Sequence, residues 1–246
     1  MKKITYIILF ALIAAFTSCK KELDSEGVSR VTNYPNIEMS GDAVMFQTQG
    51  TTFTDPGVTA KEGTKALTVT SKVVGVYTGY KGSTVNTSVA DKYVITYSAT
   101  NSDGFAGSVT RTVYVAKTGD FVNSIEGLYT SSIVRNGSTS AQYQNLQYII
   151  IWKTGANTYE LSDGIGGYYD LGRNYGPAYA APGCTVVAND ISANSFTLGP
   201  DFTVSSFGGV VQLVSFSVDT NAKTISFQSN WDAGYKFVVT LTQVQF

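Results

Sequence analysis

The sequence has no histidine among its 246 residues. Histidine is the usual general base near neutral pH and a common zinc ligand. Its absence excludes the Ser-His-Asp and Cys-His catalytic arrangements, together with most zinc sites. We therefore predict a protein that is not an enzyme, with no catalytic residue, no metal site and no cofactor.

Charged residues are also scarce, at 14% of the chain against about 25% in an average protein. The 17 Lys and Arg residues nearly balance the 18 Asp and Glu residues, which leaves a net charge of −1. No basic cluster follows the N-terminal apolar run. Because nucleic acid binding needs a concentrated basic patch, we predict no nucleic acid partner.

Long apolar runs are limited to one, Ile4–Phe16, which is shorter than the roughly 20 residues of a membrane-spanning helix. Lys2-Lys3 precedes the run and a small pair follows it, the arrangement of a secretory signal peptide, predicted over residues 1–18. Phe16-Thr17-Ser18-Cys19 resembles a bacterial lipobox. This resemblance implies cleavage before Cys19 and attachment to the membrane through acyl chains on that residue.

Cysteine is nearly absent, since Cys19 and Cys184 are the only two. With Cys19 lipidated, Cys184 has no partner for an intramolecular disulfide. We interpret Cys184 as a buried, inert thiol, with intermolecular pairing as the alternative.

Residues 19–33 are polar and charged and lack apolar periodicity, which predicts a flexible tether. Lys20-Lys21-Glu22, with Asp24 and Glu26, resembles the acidic export sequences of surface lipoproteins of Bacteroidetes. The resemblance implies a lipid-anchored protein exposed on the outer membrane. A solvated linker without that role is the alternative.

Residues 34–117 predict a first β domain. Asp91–Thr100 alternates apolar and polar residues with period 2, and Ser108–Ala116 does the same. The turn residues Asn101–Gly104 between them predict a hairpin. Further strands are predicted at Ala43–Phe46 and Leu67–Val76.

Three segments of this domain resemble bacterial Ig-like repeats of the DUF5011 and HYR kind: Gly50–Ala60, Tyr93–Asn101 and Arg111–Val115. The resemblance implies a seven-stranded β-sandwich that acts as a spacer or interaction module. Asp55-Pro56-Gly57 suits a turn on its own terms. Calcium coordination by Asp55, Asn101 or Asp103 is the alternative.

Residues 121–246 predict a second all-β domain, an antiparallel sandwich or barrel. The predicted strands are Gly127–Val134, Leu146–Lys153, Thr158–Ser162, Cys184–Ala188, Ser195–Leu198, Val210–Val218, Thr224–Gln228 and Lys236–Val244. Asp219–Lys223 predicts a hairpin loop. Gln147–Trp152 is almost wholly apolar, which predicts a strand covered on both faces and places Trp152 in the core.

Two segments of this domain, Gly164–Asp170 and Arg173–Gly176, resemble the DUF5012 domain of Bacteroidetes surface lipoproteins. Many such proteins are similar in setting to SusE- and SusF-like proteins, which hold polysaccharide beside an outer-membrane transporter. The resemblance implies an architecture and a location, with a polysaccharide and a transporter complex as expected partners.

The segment Asp163–Pro182 combines tyrosines, glycines and planar polar groups in a long stretch without periodicity, a kind of loop that is often functional. Exposed rings can stack on sugar faces while carboxylate, amide and guanidinium groups bind hydroxyls. The predicted ligand-binding residues are Tyr168, Tyr169, Asp170, Arg173, Asn174, Tyr175, Tyr179 and Trp231. The alternative is that the tyrosines only pack the loop onto the barrel.

A glycosidase needs two carboxylates that flank the scissile bond. The aspartates of the second half supply candidates without a motif that ties a pair together: Asp163, Asp170, Asp201 and Asp232. The sequence thus favours a non-catalytic surface lipoprotein that binds glycan or assists polysaccharide uptake. A structural or protein-interaction module of an outer-membrane assembly is the main alternative, and a hydrolase is the least favoured.

Overall fold

The computed structural model describes residues 31–246, and nearly all of its regular structure is β. The expected signal peptide, Cys19 and most of the expected tether lie outside these residues. Within residues 31–246, no helix is long and apolar enough to cross a membrane. The all-β class predicted from the sequence is confirmed.

The first eight strands form two sheets between residues 36 and 116. They are β1 (Asn36–Met39), β2 (Val44–Thr48), β3 (Val58–Glu62), β4 (Lys65–Ala66), β5 (Thr70–Gly75), β6 (Lys81–Gly82), β7 (Asp91–Thr100) and β8 (Ala106–Ala116). One sheet has the order β1-β3-β4 and the other β2-β8-β7-β5-β6, with only β2 and β8 parallel. This is the predicted Ig-like sandwich, with eight strands rather than seven.

The hairpin of β7 and β8 supplies most of the interior of this half. The two strands pair in antiparallel fashion from Asp91 opposite Val115 to Thr100 opposite Ala106, which confirms the predicted hairpin. The alternation of β7 buries Tyr93, Ile95 and Tyr97 in one apolar cluster with residues of β5 and β8.

The fully buried Arg111 of β8 has its charge neutralised by Asp55 in an ion pair. Arg111 also donates to the Tyr97 hydroxyl at 3.0 Å and to the Asp42 carbonyl at 3.0 Å, while the Tyr97 hydroxyl donates to Asp55 at 2.7 Å. Asp55 further accepts the Gly57 N–H at 3.0 Å, which closes the predicted turn. The Asp-Pro-Gly and Arg-Thr-Val motifs therefore meet in one structural network.

Nine further strands form a single antiparallel sheet. They are β9 (Gly127–Arg135), β10 (Leu146–Lys153), β11 (Thr158–Leu161), β12 (Cys184–Asp190), β13 (Ser195–Leu198), β14 (Phe202–Val204), β15 (Gly208–Asp219), β16 (Thr224–Trp231) and β17 (Tyr235–Gln243). Their order is β13-β12-β11-β10-β9-β17-β16-β15-β14. The predicted hairpin loop after Asp219 joins β15 to β16, as expected.

The nine-stranded sheet curls so that β13, at one edge, returns to β15 near the other. The rings of Phe196 and Phe216 lie 4.9 Å apart across this approach. Asn194 exchanges two hydrogen bonds with the backbone of Val218, at 2.6 and 2.9 Å. The concave side of the curl holds the larger apolar cluster, which includes the buried Cys184 thiol, as predicted.

Strand β10 is covered on both faces, as its apolar run predicts. Ile149 and Ile151 lie in the concave core, whereas Tyr148, Ile150 and Trp152 belong to a separate cluster formed with the Ig-like half. Trp152 is half-buried there rather than in the main core.

Aromatic pairs connect the two halves across this cluster. Tyr148 lies 5.1 Å from Tyr114 of β8 and 5.6 Å from Phe46 of β2, measured between ring centroids. Trp152 stacks on Tyr77 at 6.3 Å. The second face of β10 is therefore covered by the Ig-like half.

Candidate functional site

The segment Asp163–Pro182, named here the interior segment, begins inside the curled sheet. Its first eight residues are all buried. The Gly164 carbonyl accepts a hydrogen bond from the Ser229 hydroxyl of β16 at 2.6 Å. A Cβ atom on Gly166, whose φ is +72°, would lie 2.7 Å from Val239 of β17. The glycines of this segment therefore permit a close approach to the strands that surround it.

Tyr168 and Tyr169 start a short π-helical turn, Tyr168–Gly172, in which both side chains point into the protein. Their exposed fractions are 2% and 8%, and that of Trp231, which ends β16, is 8%. The expectation of exposed rings is wrong for these three residues, which belong to the concave core. Tyr168 and Tyr169 pack against Phe237, and Trp231 packs against Tyr169. Their role in ligand binding stays a prediction.

The other predicted residues are divided between two sides of the molecule. Asp170 is buried on the side of the Ig-like half, where burial raises its pKa and the positive charge of Lys92 opposes that rise. Asp170 is therefore directed away from the other predicted ligand residues. Asn174 is exposed at a left-handed turn, with φ of 55°, and Tyr175 is 50% exposed.

Six aromatic side chains form a continuous cluster at the surface end of the interior segment, named here the aromatic rim. They are Tyr169, Tyr175, Tyr179, Phe207, Trp231 and Tyr235. Tyr179 lies 5.2 Å from Tyr175 and 5.0 Å from Phe207. Phe207, which follows β14, is 48% exposed, so this ring and that of Tyr175 present apolar surface to solvent.

A cleft of about 340 Å³ lies beside the aromatic rim and is named here the arginine cleft. It is lined by Arg135, Ser138, Thr139, Ser140, Gln142, Tyr143, Tyr168 and Arg173. The guanidinium of Arg135 lies over the rings of both Tyr168 and Tyr235, 4.7 Å from each centroid. This double contact holds the cation at the floor of the cleft.

The aromatic floor and the second arginine complete the cleft. Tyr143 and Tyr168 stack with centroids 4.3 Å apart and an interplanar angle of 13°. Burial, and then a hydrogen bond with Tyr168, raise the pKa of the Tyr143 phenol. The exposed Arg173 donates to the Tyr168 hydroxyl, which raises the pKa of its guanidinium. Tyr143 is therefore protonated, and Arg173 charged, at neutral pH.

The arginine cleft and the aromatic rim form one surface, which we call the candidate site. Arg135 connects them, because it contacts Tyr168 in the cleft and Tyr235 in the rim. Burial raises the pKa of Tyr169, and the nearby Arg135 guanidinium opposes that rise. Six of the eight predicted residues meet here: Tyr168, Tyr169, Arg173, Tyr175, Tyr179 and Trp231.

Several residues of the candidate site were not predicted. Arg135 ends β9, Tyr143 lies in a 3-10 turn, and Phe207 lies in the turn after β14. No local pattern links these three positions, which folding brings together from separate segments. The Asn136-Gly137 pair, both with positive φ, is the one local feature that indicates a turn beside the cleft.

The four carboxylates considered for catalysis, Asp163, Asp170, Asp201 and Asp232, are all absent from the lining of the arginine cleft. Asp163 and Asp170 are buried, and Asp232 accepts the Val210 N–H at 2.9 Å. No Asp or Glu lines the arginine cleft. Among residues 31–246, no three His, Cys, Asp or Glu side chains are grouped so that they could hold a metal ion.

Comparisons with known proteins identify both halves. The model of a bacterial surface protein Ig-like domain matches residues 37–115. The model of a BT2262-like C-terminal domain matches residues 118–243, slightly more than half of the chain. No curated protein sequence matches the chain.

The fold also resembles a solved structure, that of the lipoprotein BT2262 from Bacteroides thetaiotaomicron. The match covers 85% of this chain and 100% of the other, with 24% identity and a TM-score of 0.61. The likeness at this identity concerns the fold. On the match to its C-terminal half, the chain belongs to the family of BT2262-like C-terminal domains, preceded here by an Ig-like domain of the bacterial surface type.

Proposed function

We propose that this protein is a non-catalytic, lipid-anchored protein of the cell surface that binds a glycan through the candidate site. The lipobox-like sequence at Cys19, the match to a surface Ig-like family and the likeness to a protein named as a lipoprotein support the location. In this proposal residues 34–117 are a spacer domain and residues 121–246 the binding domain, held at the outer membrane by a tether at 19–33.

The observation that carries the proposal is that Arg135 joins an aromatic cluster with exposed rings to a cleft rich in hydrogen-bond donors. Tyr175 and Phe207 present apolar faces that suit the C–H faces of a sugar ring. The adjoining cleft offers guanidinium, hydroxyl and amide groups for sugar hydroxyls. Ligand sites commonly combine apolar walls with a few polar groups in this way.

The test measures binding of the detergent-solubilised full chain to a panel of polysaccharides. We expect Tyr175→Ala and Phe207→Ala each to weaken binding about tenfold, equivalent to about 1.4 kcal/mol, because each removes a stacking surface. Phe105→Ala is the matched control, since Phe105 is an exposed ring of the Ig-like half, 46% accessible, outside the candidate site. Absence of binding to every polysaccharide, or equal binding by all three variants, would contradict the proposal.

The same exposed rings favour a second function, docking of a protein partner in an outer-membrane assembly such as a transporter complex. Aromatic side chains also anchor protein interfaces. This alternative predicts that Phe207→Ala abolishes co-purification with an envelope protein while the wild-type chain shows no affinity for any polysaccharide.

A further inference from the structure

We propose that the arginine cleft binds the anionic group of an acidic glycan, a carboxylate or a sulfate ester on a sugar. The inference rests on the proposed function and specifies the class of glycan. It concerns the charge of the cleft, whereas glycan binding itself is argued above from the aromatic rim.

The first argument is that both cations of the cleft lack an acidic partner. Within residues 31–246, neither Arg135 nor Arg173 makes an ion pair, whereas Arg111 pairs with Asp55 and Lys117 with Glu126 at 3.4 Å. The described lining of the cleft carries two positive charges and no carboxylate.

The second argument is that Arg135 is held in place before any ligand arrives. Its guanidinium lies over two rings, 4.7 Å from each centroid. A planar guanidinium with several N–H donors matches the two oxygens of a carboxylate or sulfate. Because the side chain is already ordered, less conformational entropy is lost on binding.

The third argument concerns the remaining donors and the size of the cleft. Tyr143 and Tyr168 contribute phenol groups, and Ser138 and Ser140 contribute hydroxyls. Gln142 donates to the Gly172 carbonyl at 2.7 Å, which fixes the position of the Gln142 side chain in the cleft lining. About 340 Å³ is at the small end of ligand sites, so the cleft suits a single charged sugar unit, with the neighbouring units on the aromatic rim.

The experiment compares matched probes against the detergent-solubilised full chain by calorimetry. Tetragalacturonate is compared with the same tetrasaccharide after reduction of its carboxylates to alcohols, and a sulfated dextran oligosaccharide with its unsulfated form. We expect at least one acidic probe to bind at least tenfold more tightly than its neutral counterpart. Its affinity should fall as sodium chloride rises from 50 to 500 mM, because salt screens exposed charges.

Variants show whether the arginine cleft carries the preference. Two variants should each reduce the preference for the acidic probe at least threefold. Arg173→Gln changes an exposed residue and should leave the fold intact. Arg135→Lys keeps the charge but loses the planar pair of donors. Lys61→Gln is the control, because it removes an exposed positive charge in the Ig-like half. Its preference should equal that of the wild type.

The outcomes separate the two proposals. Equal affinity for the acidic and neutral members of both pairs would overturn the anionic ligand and leave glycan binding intact. A preference that both arginine variants retain would also overturn it. Absence of binding to all four probes and to the polysaccharide panel would overturn glycan binding and with it this inference.

Discussion

Asp163 is a carboxyl group that the fold removes almost completely from water. It is fully buried at the start of the interior segment, and its Oδ1 accepts the Ile165 N–H at 2.8 Å. Burial raises its pKa from 3.8 to about 7, because backbone N–H groups stabilise the carboxylate less than water would. Between these two values the folded chain keeps a proton that the unfolded chain releases.

This difference makes stability depend on pH. The free energy of unfolding should fall as pH rises from about 4 to about 7, by at most about 1.4 kcal/mol per unit from this group. Asp163→Asn should flatten the decline, since the amide is neutral throughout, and should make the variant more stable than the wild type at pH 8. Urea unfolding at pH 5, 6, 7 and 8 measures this.

Two other carboxyl groups have raised pKa values, Asp170 and Glu160, both chiefly through burial. Some decline should therefore remain in Asp163→Asn. Asp201→Asn, at an exposed position, serves as the control and should retain the full wild-type slope. If the free energy of unfolding of Asp163→Asn declined with pH as steeply as that of the wild type, Asp163 would already be ionised in the folded chain at pH 5.

At the scale of elements, the interior segment depends on the absence of a side chain at Gly164. A Cβ atom there would lie 2.4 Å from the Phe202 ring and 2.6 Å from the Cβ of Cys184. We expect Gly164→Ala to lower the free energy of unfolding by about 1–3 kcal/mol, because the core must shift to admit the methyl group. Denaturant unfolding measures the loss.

Gly155→Ala is the matched control for that substitution. Gly155 lies in the turn between β10 and β11, where a Cβ would meet only the Thr158 side chain, at 3.3 Å. We expect a loss smaller than that of Gly164→Ala. Equal losses would indicate that the effect comes from removing glycine as such and not from the close approach to β14 and β12.

Long alternation made a strand easy to predict, whereas short strands were predicted in some cases, such as Ser195–Leu198, and missed in others. Asp91–Thr100 has ten residues of period 2, enough to fix both its type and its buried face. Two short strands were not predicted, Asn36–Met39 with four residues and Phe202–Val204 with three. Neither is long enough for an alternation of apolar and polar residues to stand out in the sequence. Their pairing is decided by neighbouring strands that are distant in the sequence.

The interior segment shows what the sequence could not provide about the candidate site. A run of tyrosines and glycines fits either an exposed binding loop or a packed one, because both use the same residue types. The curl of nine strands decides between them: Tyr168 points inward, whereas Tyr175, seven residues on, is exposed. Arg135 was missed because its importance comes from the rings of Tyr168 and Tyr235, which only the fold places around it.

At the scale of the whole molecule, the face of β10 that lies outside the concave core joins the two halves. Tyr148 packs edge to face on both Phe46 and Tyr114 of the Ig-like half. Leu128 and Ile150 of the C-terminal half are buried in the same cluster. Apolar contacts of this kind couple the stability of two sheets, since separating them exposes aromatic surface to water.

Tyr148→Ala tests this coupling. The substitution removes the central ring of the contact, and we expect it to lower the free energy of unfolding by about 2 kcal/mol, less than for a fully buried aromatic because Tyr148 is only half-buried. Calorimetry of the wild type should show one transition, and that of Tyr148→Ala two, as the halves begin to unfold separately. Tyr34→Ala, which removes a 65% exposed ring packed on Phe105, should keep one transition near the wild-type temperature. A single transition in Tyr148→Ala at the wild-type temperature would mean that the halves are held together by contacts other than this aromatic cluster.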